Sequence, residues 1–195
     1  VSFALVMIFA GRVMPRIGPR KLVISGGVVL GLGYLVAGLF GGTGFWPVFL
    51  GVGVIGGSGI GLAYVVPIAV GMRWFPDKTG LITGLAVAGF GFGAMLWVKL
   101  AGAWGHLIQD LGLDTTFMIY GLLFFTAVVI GGSWMVFPPE NWRPEGYVPP
   151  KGEGKDGSDG AFTSGEMLRT IQFYLIMLTF AVSASAGLMT IGLMK

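Results

Sequence analysis

Long apolar runs alternate with short polar turns along most of the chain. Residues 1 to about 14 form the inner end of an apolar run that is already under way at Val1. The turn Gly11-Arg-Val-Met-Pro-Arg-Ile-Gly-Pro-Arg-Lys21 follows it. Leu22 to Phe40 carries no charge and is long enough, at about 1.5 Å per residue, to cross a hydrocarbon core of roughly 30 Å. Gly41-Gly-Thr-Gly44 is a tight uncharged turn, and a further run extends from about Trp46 to Met72 with Pro67 near its inner part. A charged turn at 73–80 leads into a run from Gly80 to between Lys99 and Gly102. A connection over 103–116 then precedes a run from about Phe117 to Phe137. The pattern breaks over 138–170, which is rich in Pro, Gly and charge and lacks the apolar residues to fold alone. Thr163 and Glu166 have capping-box spacing and predict a helix start that leads through Arg169 into a last run, Ile171 to about Met194.

These runs predict an all-α polytopic membrane protein with about six spanning helices. Composition agrees: 11% of residues are charged, against about 25% in ordinary soluble domains, and the mean hydropathy is +0.83. The 36 glycines sit inside apolar runs, where close helix packing accounts for them. A net charge of +3 does not point to nucleic acid, because the loops at 11–21, 73–80 and 138–170 hold ten of the twelve basic residues. By the positive-inside rule those three loops face the cytoplasm, in a multi-pass protein of the cell membrane. With no cysteine there are no disulfides and no thiol chemistry. No metal-ligand spacing, catalytic triad or phosphate loop is present, so neither an enzyme nor a cofactor is expected. Val1 opens in mid-run, without the basic start or cleavage site of a signal peptide, and both ends are expected to be cut from a longer protein.

The stretch Arg73-Trp-Phe-Pro-Asp-Lys-Thr-Gly80, followed by Leu-Ile-Thr-Gly-Leu-Ala-Val-Ala-Gly-Phe-Gly-Phe-Gly93, couples an interfacial aromatic and charged turn to a glycine-spaced helix. Pro76 keeps the incoming helix from running straight through. Gly80, Gly84 and Ala88 recur every four residues, as do Gly89 and Gly93, giving small-residue faces suited to helix packing. The stretch resembles the signature of the oxalate/formate antiporter and monocarboxylate porter families of the major facilitator superfamily. Trp74, Phe75, Lys78, Leu81, Gly84, Leu85, Ala86, Ala88, Gly89 and Gly93 match it, while Thr79 stands where a second basic residue is usual. The first turn resembles the superfamily's loop between its second and third helices through Gly11, Arg16, Gly18, Arg20 and Lys21. Pro15 replaces that loop's usual acid, and Asp77, in the next loop on the same side, is the candidate substitute. A purely topological role is the competing reading of the basic residues.

The resemblance implies a fragment of a twelve-helix fold. Residues 1–137 would be helices two to six of the first bundle, 138–170 the cytoplasmic inter-bundle linker, and 171–195 the first helix of the second bundle. It implies a secondary transporter, monomeric when complete, that carries a small carboxylate, with a proton as the candidate coupling ion, by alternating access around a midplane site. Tyr64 lies nine residues before Arg73, roughly 14 Å from the inner surface, and Phe90 reaches a similar depth from Gly80. Both are candidates to line the carboxylate site, with the Tyr64 hydroxyl donating a hydrogen bond. Ser183 and Ser185 enter the last run at similar depth. Ordinary packing is the alternative for all four.

Lys99 is the one basic residue within an apolar run. Its distance from Gly80, roughly 29 Å, sets it near the outer interface as a snorkelling anchor or as an attractor of anions to the outer mouth. His106, Asp110 and Asp114 read as a wet outer turn. The cations that would pair with a carboxylate are expected in the missing second bundle. Two alternatives remain open: a non-transporting receptor or assembly subunit on the same fold, which the loss of the acid at Pro15 favours, and a transporter of another small solute.

Overall fold

The computed structural model describes residues 1–139, 142, 144, 164–179 and 182. Two compact units divide the chain, Val1–Tyr147 and Val148–Lys195. The first contains α1 (Ser2–Ile17), α2 (Pro19–Phe40), α3 (Phe45–Val48), α4 (Gly57–Trp74), α5 (Thr79–Ala101) and α6 (Leu107–Ser133). A π-helical stretch, Phe49–Gly56, joins α3 to α4 without a break. Four helical segments among the described residues are long and apolar enough to cross a membrane: Pro19–Thr43, Phe45–Trp74, Pro76–Ala101 and Leu107–Ser133.

The first turn is tighter than the residues suggest. α1 runs on through Gly11 and Pro15 to Ile17, and the whole corner is Gly18, with φ 88° and ψ 154°. Glycine alone enters that region readily, and Pro19 at the first position of α2 starts a new helix without wasting an N–H. The Gly18 N–H still bonds to the Met14 carbonyl at 2.9 Å. The expected turn over 11–21 is thus corrected to a helix–glycine–helix corner.

α2 is the centre of this unit, with α4 on one side and α6 on the other. Its glycines set the approach. A Cβ added at Gly33 would lie 2.5 Å from both the Gly51 carbonyl oxygen and the Gly56 nitrogen, so two backbones meet there with no side chain between them. α1 packs along α4, burying Ala10 and Met14 with Val66, Val70, Leu22 and Val23 in the inner part of the bundle.

The π-helical stretch was not foreseen. Within it the Gly57 N–H bonds to the carbonyls of Val52 and Val54, passing over Gly53. Ser2 of α1 donates its hydroxyl to the Gly53 carbonyl at 2.7 Å. In a medium without water a hydroxyl needs an acceptor within the protein, and the Gly53 carbonyl supplies it across the two helices.

The α4–α5 hairpin agrees with expectation: Phe75 leaves the helix, Pro76–Lys78 forms one 3₁₀ turn, and α5 starts at Thr79. α6 differs at both ends. It begins at Leu107, breaks at Gly112 (φ 81°, ψ 165°), and stops at Ser133 rather than at Phe137. Pro138 and Pro139 disfavour helix in the residue before each, and 135–139 runs without regular structure.

In the second unit α7 (Ser164–Met167) begins one residue after Thr163, where the capping-box spacing puts a helix start. Helical backbone resumes over 171–179. Thr163, most of the expected 138–170 linker and the remainder of the last run lie outside the described residues.

Candidate functional site

α1, α4 and α5 bring three aromatic rings together. Tyr64 and Phe90 lie 5.3 Å apart between ring centroids in an edge-to-face arrangement, the geometry the ring quadrupoles favour. Phe3 of α1 completes the group, 5.7 Å from Tyr64 and 6.3 Å from Phe90. The two aromatics singled out by depth are therefore neighbours. Phe3 has no sequence signal that would have found it, because its proximity depends on how α1 lies along α4.

Tyr64 is half-buried, and its hydroxyl forms no hydrogen bond with any described residue. Phe90 is 52% exposed. The trio thus presents aromatic surface and one uncommitted hydroxyl, with no charge of its own. Tyr64 and Pro67 also line an apolar groove of about 280 Å³ with Ile60, Ala63, Val128 and Met135. Pro67 lacks the N–H that would bond the Ala63 carbonyl, so the helix ladder is interrupted beside the same residue.

Lys99 lies in the last turn of α5, nine residues beyond Phe90, and its side chain is exposed. At about 1.5 Å per residue it is roughly 14 Å from the trio along the helix, too far to pair with a carboxylate held there. Ser183 and Ser185 lie outside the described residues.

At the inner end a different set of contacts joins the α4–α5 hairpin to the segment after α6. The Trp74 indole N–H donates to the Val136 carbonyl at 2.8 Å, and the Arg73 guanidinium lies 4.0 Å from the Phe137 ring centroid. Trp142 stacks edge-on to Trp74 at 5.0 Å and donates its indole N–H to the Trp74 carbonyl at 3.2 Å. Asp77 faces its neighbour Lys78 at 4.0 Å rather than any guanidinium of the α1–α2 corner. The expected substitution of Asp77 for the acid at position 15 is not made in this arrangement. Arg12, Arg16, Arg20 and Lys21 are exposed, whereas Gly11 and Gly18 are half-buried.

The small residues of α5 are also placed differently from the packing expected of them. A Cβ added at Gly84, Gly89 or Gly93 would meet nothing within 4 Å, and Ala88 is exposed. Close helix approach within the described residues falls instead to the glycines of α2 and to Gly61 of α4, where an added Cβ would lie 2.7 Å from the Phe3 carbonyl oxygen of α1. At the outer end a second aromatic group, Tyr34, Trp97, Phe117, Tyr120 and Phe124, joins α2, α5 and α6, and the Tyr120 hydroxyl donates to the Trp97 carbonyl at 2.7 Å.

A family model described as Major Facilitator Superfamily matches residues 1–194. The chain is 28% identical over 188 residues to an uncharacterized MFS-type transporter, YhjX, of Escherichia coli strain K12, covering 95% of this chain and 43% of that protein. It is 27% identical over 182 residues to the oxalate:formate antiporter of Oxalobacter formigenes, covering 93% and 40%. It is also 39% identical over 98 residues to apicoplast pyruvate carrier 1 of Toxoplasma gondii, covering 50% and 18%. The chain spans less than half the length of each of these relatives.

Proposed function

This chain belongs to the Major Facilitator Superfamily, and on that premise we propose that the complete protein is a secondary transporter of small carboxylates in the cell membrane. It works by alternating access. Residues 1–137 contribute helices of the first bundle, 138–170 link the bundles on the cytoplasmic side, and 171–195 open the second bundle. The observation that carries the reading is the pairing of Tyr64 with Phe90 at 5.3 Å, beside Phe3, with the Tyr64 hydroxyl uncommitted. A phenolic O–H donates and ring edges carry partial positive charge, so the group can take the oxygens of a small planar acid. Ser183 and Ser185 would add hydroxyl donors from the second bundle.

A carboxylate in hydrocarbon also requires a full positive charge. No cation lies near Tyr64 among the described residues, and on this reading the rest of the protein supplies it. The likeness to an oxalate:formate antiporter and to a pyruvate carrier supports the same substrate class. Lys99, at the outer end of α5, would draw anions toward the mouth.

The test is ligand-dependent thermal unfolding of the complete purified protein. A ligand that binds only the folded state stabilises it by RT ln(1 + [L]/Kd), about 2.7 kcal/mol at a hundredfold excess over Kd. Oxalate, formate, pyruvate and lactate should include at least one that raises Tm, whereas oxamide, a neutral analogue of oxalate, should not. A protein whose Tm is raised by none of the acids is not a carboxylate transporter, and a role as a non-transporting receptor for some other ligand would then replace this one.

A further inference from the structure

One face of α1 is exposed along its whole length, and its chemistry changes sharply toward the inner end. Leu5, Ile8 and Phe9 are 63%, 57% and 60% exposed. Arg12 and Arg16 follow them, also exposed, at the three- and four-residue spacing of a single helix face. Ala10 and Met14, on the opposite face, are buried against Val66 and Val70. Because α4 ends at Trp74 just beyond Val70, this packing sets the two guanidiniums near the level of the charged α4–α5 hairpin. Pro15 stands between them where the resembling loops carry an acid. The acid of the neighbouring hairpin, Asp77, is paired with Lys78. No acidic side chain among the described residues neutralises Arg12 or Arg16. Arg20, just past the Gly18 corner, adds a further exposed cation.

We propose that this face holds an anionic phospholipid of the cytoplasmic leaflet. Its acyl chain lies along Leu5, Ile8 and Phe9, and its headgroup phosphate sits at Arg12 and Arg16. The order of apolar surface and then charge along the face is the order of tail and headgroup in that leaflet. Guanidinium groups bind phosphate oxygens through paired N–H donors. The missing acid at position 15 gives the site its selectivity. With an acid between them the arginines would be satisfied internally, whereas without one the membrane supplies the anion.

The experiment reconstitutes the complete protein in phosphatidylcholine vesicles and measures the motionally restricted fraction of trace spin-labelled phosphatidylglycerol and phosphatidylcholine. Phosphatidylglycerol should be preferred, and the preference should fall by about fivefold for each arginine neutralised in Arg12→Gln and Arg16→Gln, until parity is reached. The double variant Arg12→Lys/Arg16→Lys keeps the charge and should keep most of the preference, which separates loss of the site from loss of the fold. Inorganic phosphate in the buffer should leave the preference unchanged. Equal restriction of the two lipids overturns the proposal, as it would if a helix of the remaining protein covers this face. A preference that survives in the Gln double variant also overturns it, and displacement by inorganic phosphate would make this a soluble-anion site instead.

Discussion

Ser2 donates its hydroxyl to the Gly53 carbonyl at 2.7 Å, and that carbonyl lies inside the π-helical stretch Phe49–Gly56. The bond links α1 to the wide turn that precedes α4. Ser2→Ala should therefore destabilise the protein by about 0.6 kcal/mol, the average for interhelical hydrogen bonds in membranes, and by no more than about 1.7 kcal/mol. Thermal unfolding of the complete protein with and without the substitution checks this. An unchanged Tm would mean that water or another donor reaches Gly53.

Gly33 and Gly84 should respond oppositely to alanine. At Gly33 the new methyl meets the backbone of Gly51 and Gly56, which cannot rotate away, and Gly33→Ala should cost about 1–3 kcal/mol. Gly84→Ala enters open space in this unit and should be within about 0.5 kcal/mol of wild type if nothing else packs there. If both are equally costly in the complete protein, a helix beyond the described residues covers α5, as the glycine spacing first suggested.

Much of this was legible. The apolar runs placed α2, α4 and α5 well, because hydropathy is summed over many residues and Pro76 and the charged turn punctuate it. The family was readable from Trp74 through Gly93, and the family model agrees over residues 1–194. The corner at Gly18 was not, because Pro15 and four basic residues look like a loop although α1 buries Met14 and so continues past them. Nor was the division of labour among glycines. Spacing by four marks a face but does not name its partner, and α2 turned out to use its glycines where α5 leaves its own uncovered. The aromatic group lay between these cases: depth along a helix picked Tyr64 and Phe90, which are neighbours, but only the packing of α1 could add Phe3.

The inner clasp gives a third expectation. Arg73→Gln removes the charge above Phe137, worth about 0.5–1 kcal/mol at an exposed site, and Trp74→Phe removes the bond to Val136 while keeping the ring. A double-mutant cycle of Arg73→Gln with Phe137→Leu, followed by thermal unfolding, should show a coupling energy in that range. Additive effects would mean that the guanidinium is held by the membrane surface and not by the ring.

Tyr64→Phe keeps the edge contacts to Phe3 and Phe90 and removes one donor. If that donor meets a carboxylate, the KM for transport should rise about tenfold or more, since hydrogen bonds to charged groups contribute about 1.5–3 kcal/mol. Tm without ligand should not change, because the hydroxyl bonds to no described residue. A fall in Tm with an unaltered KM would return Tyr64 to an ordinary packing role.

The most direct measurement is uptake of labelled oxalate and lactate by liposomes containing the complete protein, with and without internal carboxylate and with an imposed pH gradient. Carboxylate transport predicts saturable uptake of at least one acid. Dependence on internal carboxylate would identify an exchanger, and dependence on the pH gradient a proton symporter. If the folded protein moves neither acid under any of these conditions, the carboxylate assignment is contradicted.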